Sequence, residues 1–238
     1  MRERVLWVTG AGSGMGRAVA LAAAAAGWRV ALSGRRAEAL ESVRDEVEAA
    51  GGTALAVPLD VADPAAVGAA ADAVRAGLGP ITDLVLAAGV NTRRRRWDDQ
   101  SLAEFEAVVA TDLTGAAAVV HHALPDLRRA AGTVVAVSSF SAWSFSPVAG
   151  VAYAAAKTAL GVLCRTLNAE EEPSGVRATH LCPGDVATDL LDLRPEVPDA
   201  AARARMLQPE DIARTAMFVL EAPPHVRVDE LVISPVRP

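Results

Sequence analysis

The chain has 238 residues, 52% of them hydrophobic and 22% charged, a balance that excludes an intrinsically disordered chain and fits one globular domain over 1–238. A net charge of −6 and a pI near 5.3 argue against general nucleic-acid binding. Two cysteines, Cys164 and Cys182, make no disulfide framework and suit a reducing cytoplasm as buried thiols. The start, Met1 to Arg4 ahead of a short apolar run, lacks the long apolar core of a signal peptide. The Ala-rich stretch 18–26 is too short to span a bilayer, so no membrane association is expected.

Short apolar runs alternate with helical stretches along the whole chain. Val5 to Thr9 reads as a strand, and Gly14 to Ala26 as a helix ended by Gly27. Trp28 to Ser33 is a second strand, followed by a helix over 37–50 that stops at Gly51 and Gly52. Thr53 to Leu59 is a third strand. A helix then starts at Pro64, a residue favoured in a first turn, with Asp63 as its cap. Leu84 to Leu86 is a fourth strand, and 101–130 a long helical region. Thr133 to Val137 is a fifth strand, followed by a helix over 150–170 and a sixth strand, Val176 to Leu181. Helix 209–221 and the strand Glu230 to Ile233 complete the order. Alternation of this kind predicts an α/β fold, a doubly wound, seven-stranded parallel sheet with helices on both faces.

The turn between the first strand and the first helix carries Gly10, Gly12, Ser13, Gly14, Met15 and Gly16. Glycines at such a junction let the backbone approach a pyrophosphate, which the positive end of the helix then holds. A carboxylate often ends the second strand of such a unit to take the ribose 2′-hydroxyl; here Ser33 and Gly34 are followed by Arg35 and Arg36. Two guanidinium groups suit a 2′-phosphate, so NADP(H) is expected over NAD(H). Asp60, beside Val61 after the third strand, is placed to touch the adenine.

Tyr153 and Lys157 lie four residues apart on a helical stretch, hence on one face. An ammonium beside a phenol favours the tyrosinate and makes the pair an acid/base at accessible pH. No His, Cys or carboxylate pattern with metal-ligand spacing accompanies it.

These motifs, taken in order, resemble the short-chain dehydrogenase/reductase family in its single-domain branch. The resemblance rests on Thr9-Gly10 to Gly16, Asp60-Val61, Ala88-Gly89, Ser138-Ser139, Tyr153 with Lys157, and Pro183-Gly184 to Thr188, and covers nearly the whole chain. It implies NADP(H)-dependent interconversion of a carbonyl and a secondary alcohol, with Tyr153 as general acid/base. Lys157 would tune Tyr153 and hold the nicotinamide ribose, and Ser139 would polarise the carbonyl. Pro183, Gly184 and Val186 would line the nicotinamide end, Thr188 would meet its carboxamide or the phosphates, and Ala88 and Gly89 would also bind the cofactor. The resemblance also implies a homo-oligomer, dimer or tetramer, built on the helices over 101–130 and 150–170. The expected partner is a small carbonyl or alcohol substrate.

Three features depart from the family pattern. Ala87 and Ala88 stand where asparagines are usual, Asp112 replaces an asparagine that supports a proton relay, and the spacing from Ser139 to Tyr153 is one residue longer. Ser138 and Ser141 therefore remain substitutes for Ser139. Asp112 places a negative charge near Lys157, which would stabilise the ammonium and disfavour tyrosinate. It also motivates a different reading, a catalytically impaired NADP-binding scaffold; a related isomerase or dehydratase is a further one. The run Arg93 to Arg96 is expected as a solvated loop or subunit contact, the other reading being a grip on an anionic substrate. Trp97, Trp143 and Phe145 would wall the pocket, or Trp143 and Phe145 would simply anchor their loop to the core, and segment 187–208 would cover the substrate.

Overall fold

The structure, a computed structural model, describes residues 3–236. Met1 and Arg2, on which part of the N-terminal reading rests, lie outside them. Seven strands run in chain order as β1 (Val5–Thr9), β2 (Arg29–Gly34), β3 (Thr53–Pro58), β4 (Asp83–Leu86), β5 (Thr133–Val137), β6 (Arg177–Pro183) and β7 (Glu230–Ile233). They form one sheet of spatial order β3-β2-β1-β4-β5-β6-β7, every pairing parallel. The helices are α1 (Gly14–Ala25), α2 (Ala37–Ala49), α3 (Pro64–Leu78), α4 (Leu102–Val109), α5 (Gly115–Ala130), α6 (Phe140–Trp143), α7 (Val151–Glu170), α8 (Ala200–Arg203) and α9 (Pro209–Leu220).

The period-2 geometry of β1 sorts its side chains onto two cores. Val5 and Trp7 face a cluster formed with α3, α5 and α7, whereas Leu6 and Val8 face one formed with α1, α2 and α9. Both strands beside β1 bury apolar residues on both faces, which is why they read as continuous apolar runs. The one large aromatic at the centre, Trp7, satisfies its indole N–H with the Ser33 hydroxyl at 2.9 Å. Asp63 caps α3 as expected, accepting from the Ala65 and Ala66 amides.

β1 pairs with β2 on one side and β4 on the other, so the strand order reverses between them. The crevice at the carboxyl ends of β1 and β4 is the place where such a sheet leaves room for a ligand. Two differences from the sequence reading bear on that crevice. The helical region 101–130 is interrupted by a π-helical turn, Ala110–Thr114, that contains Asp112. Short helices also form at Phe140–Trp143 and Ala200–Arg203, in segments with no apolar period. By length and mean hydropathy, 1.3, the run Leu102–Ala130 would pass for a membrane span. It carries the buried carboxyl groups of Asp112 and Asp126 and packs on α3 and α7, as a core helix does.

The base of the sheet is fixed by Asp83, 2% exposed, which accepts from Arg4 at 2.7 and 3.1 Å, from the Thr82 hydroxyl at 2.8 Å and from the Thr133 amide at 3.1 Å. It thereby ties the ends of β4 and β5 to the residue preceding β1. Asp83→Ala strands three donors, so urea unfolding is expected to show a loss of about 3 kcal/mol.

Candidate active site

A cleft of about 490 Å³ opens along the carboxyl ends of β1, β2 and β4. One end is bounded by Arg35, Arg36 and Asp60, the middle by Gly10, Gly12, Ser13, Gly14, Met15, Val61 and Ala88, and the far end by Gly89, Tyr153, Lys157 and Thr188. These residues come from five loops and two helices, α1 and α7, and the sheet brings all of them to one edge. Gly16, Asp112, Ser139, Pro183, Gly184 and Val186 are not among the lining residues; Gly16 packs under the turn, Asp112 stands behind Gly89 beside Lys157, and Gly184 packs against Ser234 and Pro235.

The glycine turn has the form required for a phosphate cradle. Gly10 has φ +69°, and a Cβ on it would lie 2.6 Å from the Ala87 carbonyl oxygen. A Cβ on Gly16 would lie 2.4 Å from the Gly10 oxygen, so the turn and the first turn of α1 are in backbone contact. This leaves the N-terminus of α1 directed at the cleft. Arg36 donates to the Ser13 hydroxyl at 2.9 Å, which fixes a guanidinium at the lip of the turn. Asp60 accepts from the Ala62 amide at 3.0 Å and borders the same end. The Thr9 hydroxyl accepts from the Ala88 amide at 3.2 Å and joins the ends of β1 and β4.

Lys157 is 4% exposed. Its Nζ donates to the Val137 carbonyl at 3.1 Å, lies 3.5 Å from Asp112 Oδ2, and stands 5.6 Å from the centre of the Tyr153 ring. The π-helical turn carries the Asp112 carboxyl inward, where Oδ1 accepts from the Val90 amide at 2.7 Å. Oδ2 has no hydrogen-bond donor among the described residues, so it faces the ammonium alone. Burial opposes charge on Lys157, but Asp112 and then Tyr153 outweigh it and hold the ammonium above its ordinary pKa. Burial likewise pushes the Asp112 carboxyl up, against the pull of Lys157 and the Val90 N–H. Burial pushes the Tyr153 phenol up too; Lys157 pulls it down, Asp112 pushes it up, and a hydrogen bond with Ser139 and the charge of Arg194 pull it down, the net being upward.

Of the three serines, Ser139 is the one whose hydroxyl lowers the Tyr153 pKa. Ser141 donates to the Ser139 hydroxyl at 3.0 Å, and Ser138 is occupied with the Lys157 carbonyl at 2.9 Å. The longer spacing to Tyr153 is taken up by α6 and a 3-10 turn at Pro147–Ala149. Trp97, Trp143 and Phe145 are 84%, 54% and 87% exposed, so none anchors its loop to the core. The expectation of a solvated basic run holds for Arg93, Arg94 and Arg96 and fails at Arg95, which is 7% exposed. Its backbone lies against Gly150, the residue that starts α7, where side-chain bulk would collide with Arg95 Cβ at 2.5 Å.

The chain belongs to the short chain dehydrogenase family, whose pattern matches residues 4–197. It is 32% identical to a sulfoacetaldehyde reductase of Chromohalobacter salexigens, over 98% of this chain and 94% of that protein. It is 35% identical, over 98% of its length, to part of the glycine betaine reductase ATRR of Emericella nidulans, but spans only 19% of that larger protein. Among solved structures, an alcohol dehydrogenase of the archaeon Thermococcus sibiricus, complexed with 5-hydroxy-NADP, superposes with a TM-score of 0.89 at 29% identity and covers 100% of this chain and 99% of that one. Other solved neighbours carry NADP or NAD. The protein is therefore an oxidoreductase of this family acting on the alcohol–carbonyl couple, with a fold that binds a nicotinamide dinucleotide. The cradle at Gly10 to Gly16 fits such a group, because a side chain at Gly10 would occupy backbone space. Gly10→Ala is expected to lower the melting temperature and to weaken dinucleotide binding at least about tenfold in a fluorescence titration, since it combines a positive φ with a 2.6 Å contact.

Proposed function

We propose that the protein is an NADP(H)-dependent carbonyl reductase or alcohol dehydrogenase in which Tyr153 is the general acid/base. The observation that carries this reading is the convergence of Tyr153, Lys157 and Ser139 at the far end of the dinucleotide cleft. A dinucleotide held at the glycine turn and by Lys157 would supply or accept the hydride at this end of the cleft. Tyr153 donates its phenolic proton to the oxygen of the carbonyl being reduced, or removes the proton from the alcohol in the reverse direction. Ser139, held by Ser141, hydrogen-bonds the same oxygen and stabilises negative charge as it develops. Lys157 lowers the phenol pKa through space and is held for the nicotinamide ribose, with Gly89 giving it room. Pro183, Gly184, Val186 and Thr188 shape the nicotinamide end, and Asp60 and Val61 the adenine end. A single catalytic domain acting in the cytoplasm, as a homo-oligomer, is part of the same proposal.

NADP(H) is proposed over NAD(H) because Arg35 and Arg36 stand at the adenosine end and no carboxylate ends β2. Replacing both with serine is expected to raise the dissociation constant for NADPH about ten- to hundredfold and to leave that for NADH nearly unchanged.

Asp112 is proposed as a positioning residue that holds Lys157 and acts directly on the charge state of Tyr153. Its charge raises both Lys157 and Tyr153, so Asp112→Asn removes an influence that keeps the phenol protonated. Oxidation needs the tyrosinate and rises with pH through the phenol pKa; reduction needs the phenol and falls there. Both limbs are expected to move to lower pH in Asp112→Asn, read from initial rates across a pH series. Tyr153→Phe is expected to lower kcat by about 10²- to 10⁴-fold while NADPH still binds. Turnover that survives Tyr153→Phe would sink the reductase reading, and tight NADPH binding with no turnover of any carbonyl would favour a binding role.

A further inference from the structure

Arg95 is a buried cation whose hydrogen bonds all go to neutral groups. Nε donates to the Thr92 carbonyl at 2.8 Å, one terminal nitrogen to Val148 at 3.3 Å and the other to Leu193 at 2.6 Å. No carboxylate forms an ion pair with it among the described residues. Its neighbours on the run are differently placed: Arg94 pairs with Glu104 at 2.8 Å, and Arg93 and Arg96 are exposed. A guanidinium removed from water without an anion is held at a free-energy disadvantage that an arriving anion would relieve.

A second guanidinium, Arg194, stands at the end of the 3-10 helix Asp189–Leu193, directly after the carbonyl that Arg95 holds. One of its terminal nitrogens is paired with Asp185, and its side chain keeps about a third of its surface in solvent. The nearby acids are otherwise engaged or turned elsewhere: Asp99 acts on Arg95 without an ion pair and accepts from the Arg96 amide at 2.8 Å, Asp192 pairs with Arg203, and Asp189 borders the dinucleotide cleft. The Arg95 carbonyl accepts from the Val151 amide at 3.3 Å, and its guanidinium holds the Leu193 carbonyl, so both arginines stand near the first turn of the helix that carries Tyr153. Thus two cations from two different loops meet beside that turn, one of them without an ion-paired carboxylate.

We propose that Arg95 and Arg194 form an anion-binding half of the substrate pocket, so that the carbonyl substrate is a small molecule bearing an oxyacid group such as a carboxylate, sulfonate or phosphate. This rests on Tyr153 marking the reacting carbon. A planar guanidinium meets the two oxygens of such a group side by side, and Arg194 shares its remaining donors between Asp185 and the ligand. The same contact would draw the segment holding Leu193 and Arg194 towards the loop holding Arg95, closing the cover only over a charged substrate.

The test compares kcat/KM for three aldehyde pairs of matched length, each with a carboxylate, sulfonate or phosphate on one member and a neutral group on the other. One charged member is expected to be preferred at least about tenfold, and which one identifies the oxyacid. The preference is expected to shrink towards unity in Arg194→Gln and with added salt, and to survive in part in Arg95→Lys, which keeps the charge. NADPH titration of each variant checks that it is folded. Equal turnover of charged and neutral members, or a preference unchanged in Arg194→Gln, overturns the proposal. If no carbonyl is turned over, the reductase reading fails separately, and the anion site is decided by melting NADPH-saturated protein with succinate, ethanesulfonate or glycerol phosphate at fixed ionic strength. A rise in melting temperature that Arg194→Gln abolishes supports the site; no rise with any of the three overturns it.

Discussion

A buried ammonium must be compensated, and much of the local architecture follows from that demand at Lys157. Its Nζ is met by the Val137 carbonyl at the end of β5 and by Asp112 from the π-helical turn. Its own backbone carbonyl is met by the Ser138 hydroxyl and by His180 Nε2 from β6. Two strands, α7 and the α4–α5 junction therefore converge on one residue. The position of Tyr153 one turn earlier on α7 is fixed by the same contacts, because a helix turn cannot move apart from its neighbour. Displacing α7 would leave Asp112 and Lys157 buried and unpaired, a penalty of several kcal/mol. Tyr153 and Lys157 are thus held by structural electrostatics as much as by packing.

The compensation is of an unusual kind. Asp112 has one oxygen taken by the Val90 amide and the other facing Nζ at a distance too long for a strong hydrogen bond. A full negative charge therefore stands where a neutral amide would supply only a dipole. The charge holds the ammonium, which by itself favours the tyrosinate, and acts directly on the phenol in the opposite sense, opposing its ionisation. With burial added, the net direction is towards the protonated form of Tyr153. The same substitution that reads as a defect in a proton relay is, in electrostatic terms, a bias towards reduction.

The order of elements was legible from periodicity because parallel strands covered on both faces are apolar throughout, and the helices between them are punctuated by Gly27, Gly51 and Asp63. The glycine turn and the Tyr153–Lys157 spacing were legible because backbone contact and one helix face are properties of sequence separation. The π-helical turn was not, since one extra residue in a helical turn leaves the apolar pattern of 101–130 almost unchanged. Nor was the burial of Arg95: four consecutive arginines carry no period, and which of them turns inward is decided by carbonyls at Thr92, Val148 and Leu193 that are distant in sequence.

Those three carbonyls connect the two ends of the site. Val148 lies two residues before the glycine that starts α7, Thr92 follows β4, and Leu193 belongs to the segment after β6. Asn91 adds a bond to the Ala149 carbonyl at 3.0 Å, and the Val151 amide donates to Arg95 itself at 3.3 Å. The segment carrying Arg95 thus braces the first turn of the helix that carries Tyr153. Lys157 and Arg95 are buried cations on opposite footings: the first meets a carboxylate from within the fold, and the second meets only peptide dipoles. Peptide dipoles can orient a guanidinium but cannot neutralise it. The fold therefore completes its charge balance at Lys157 and leaves it open at Arg95, between the segments that follow β4 and β6.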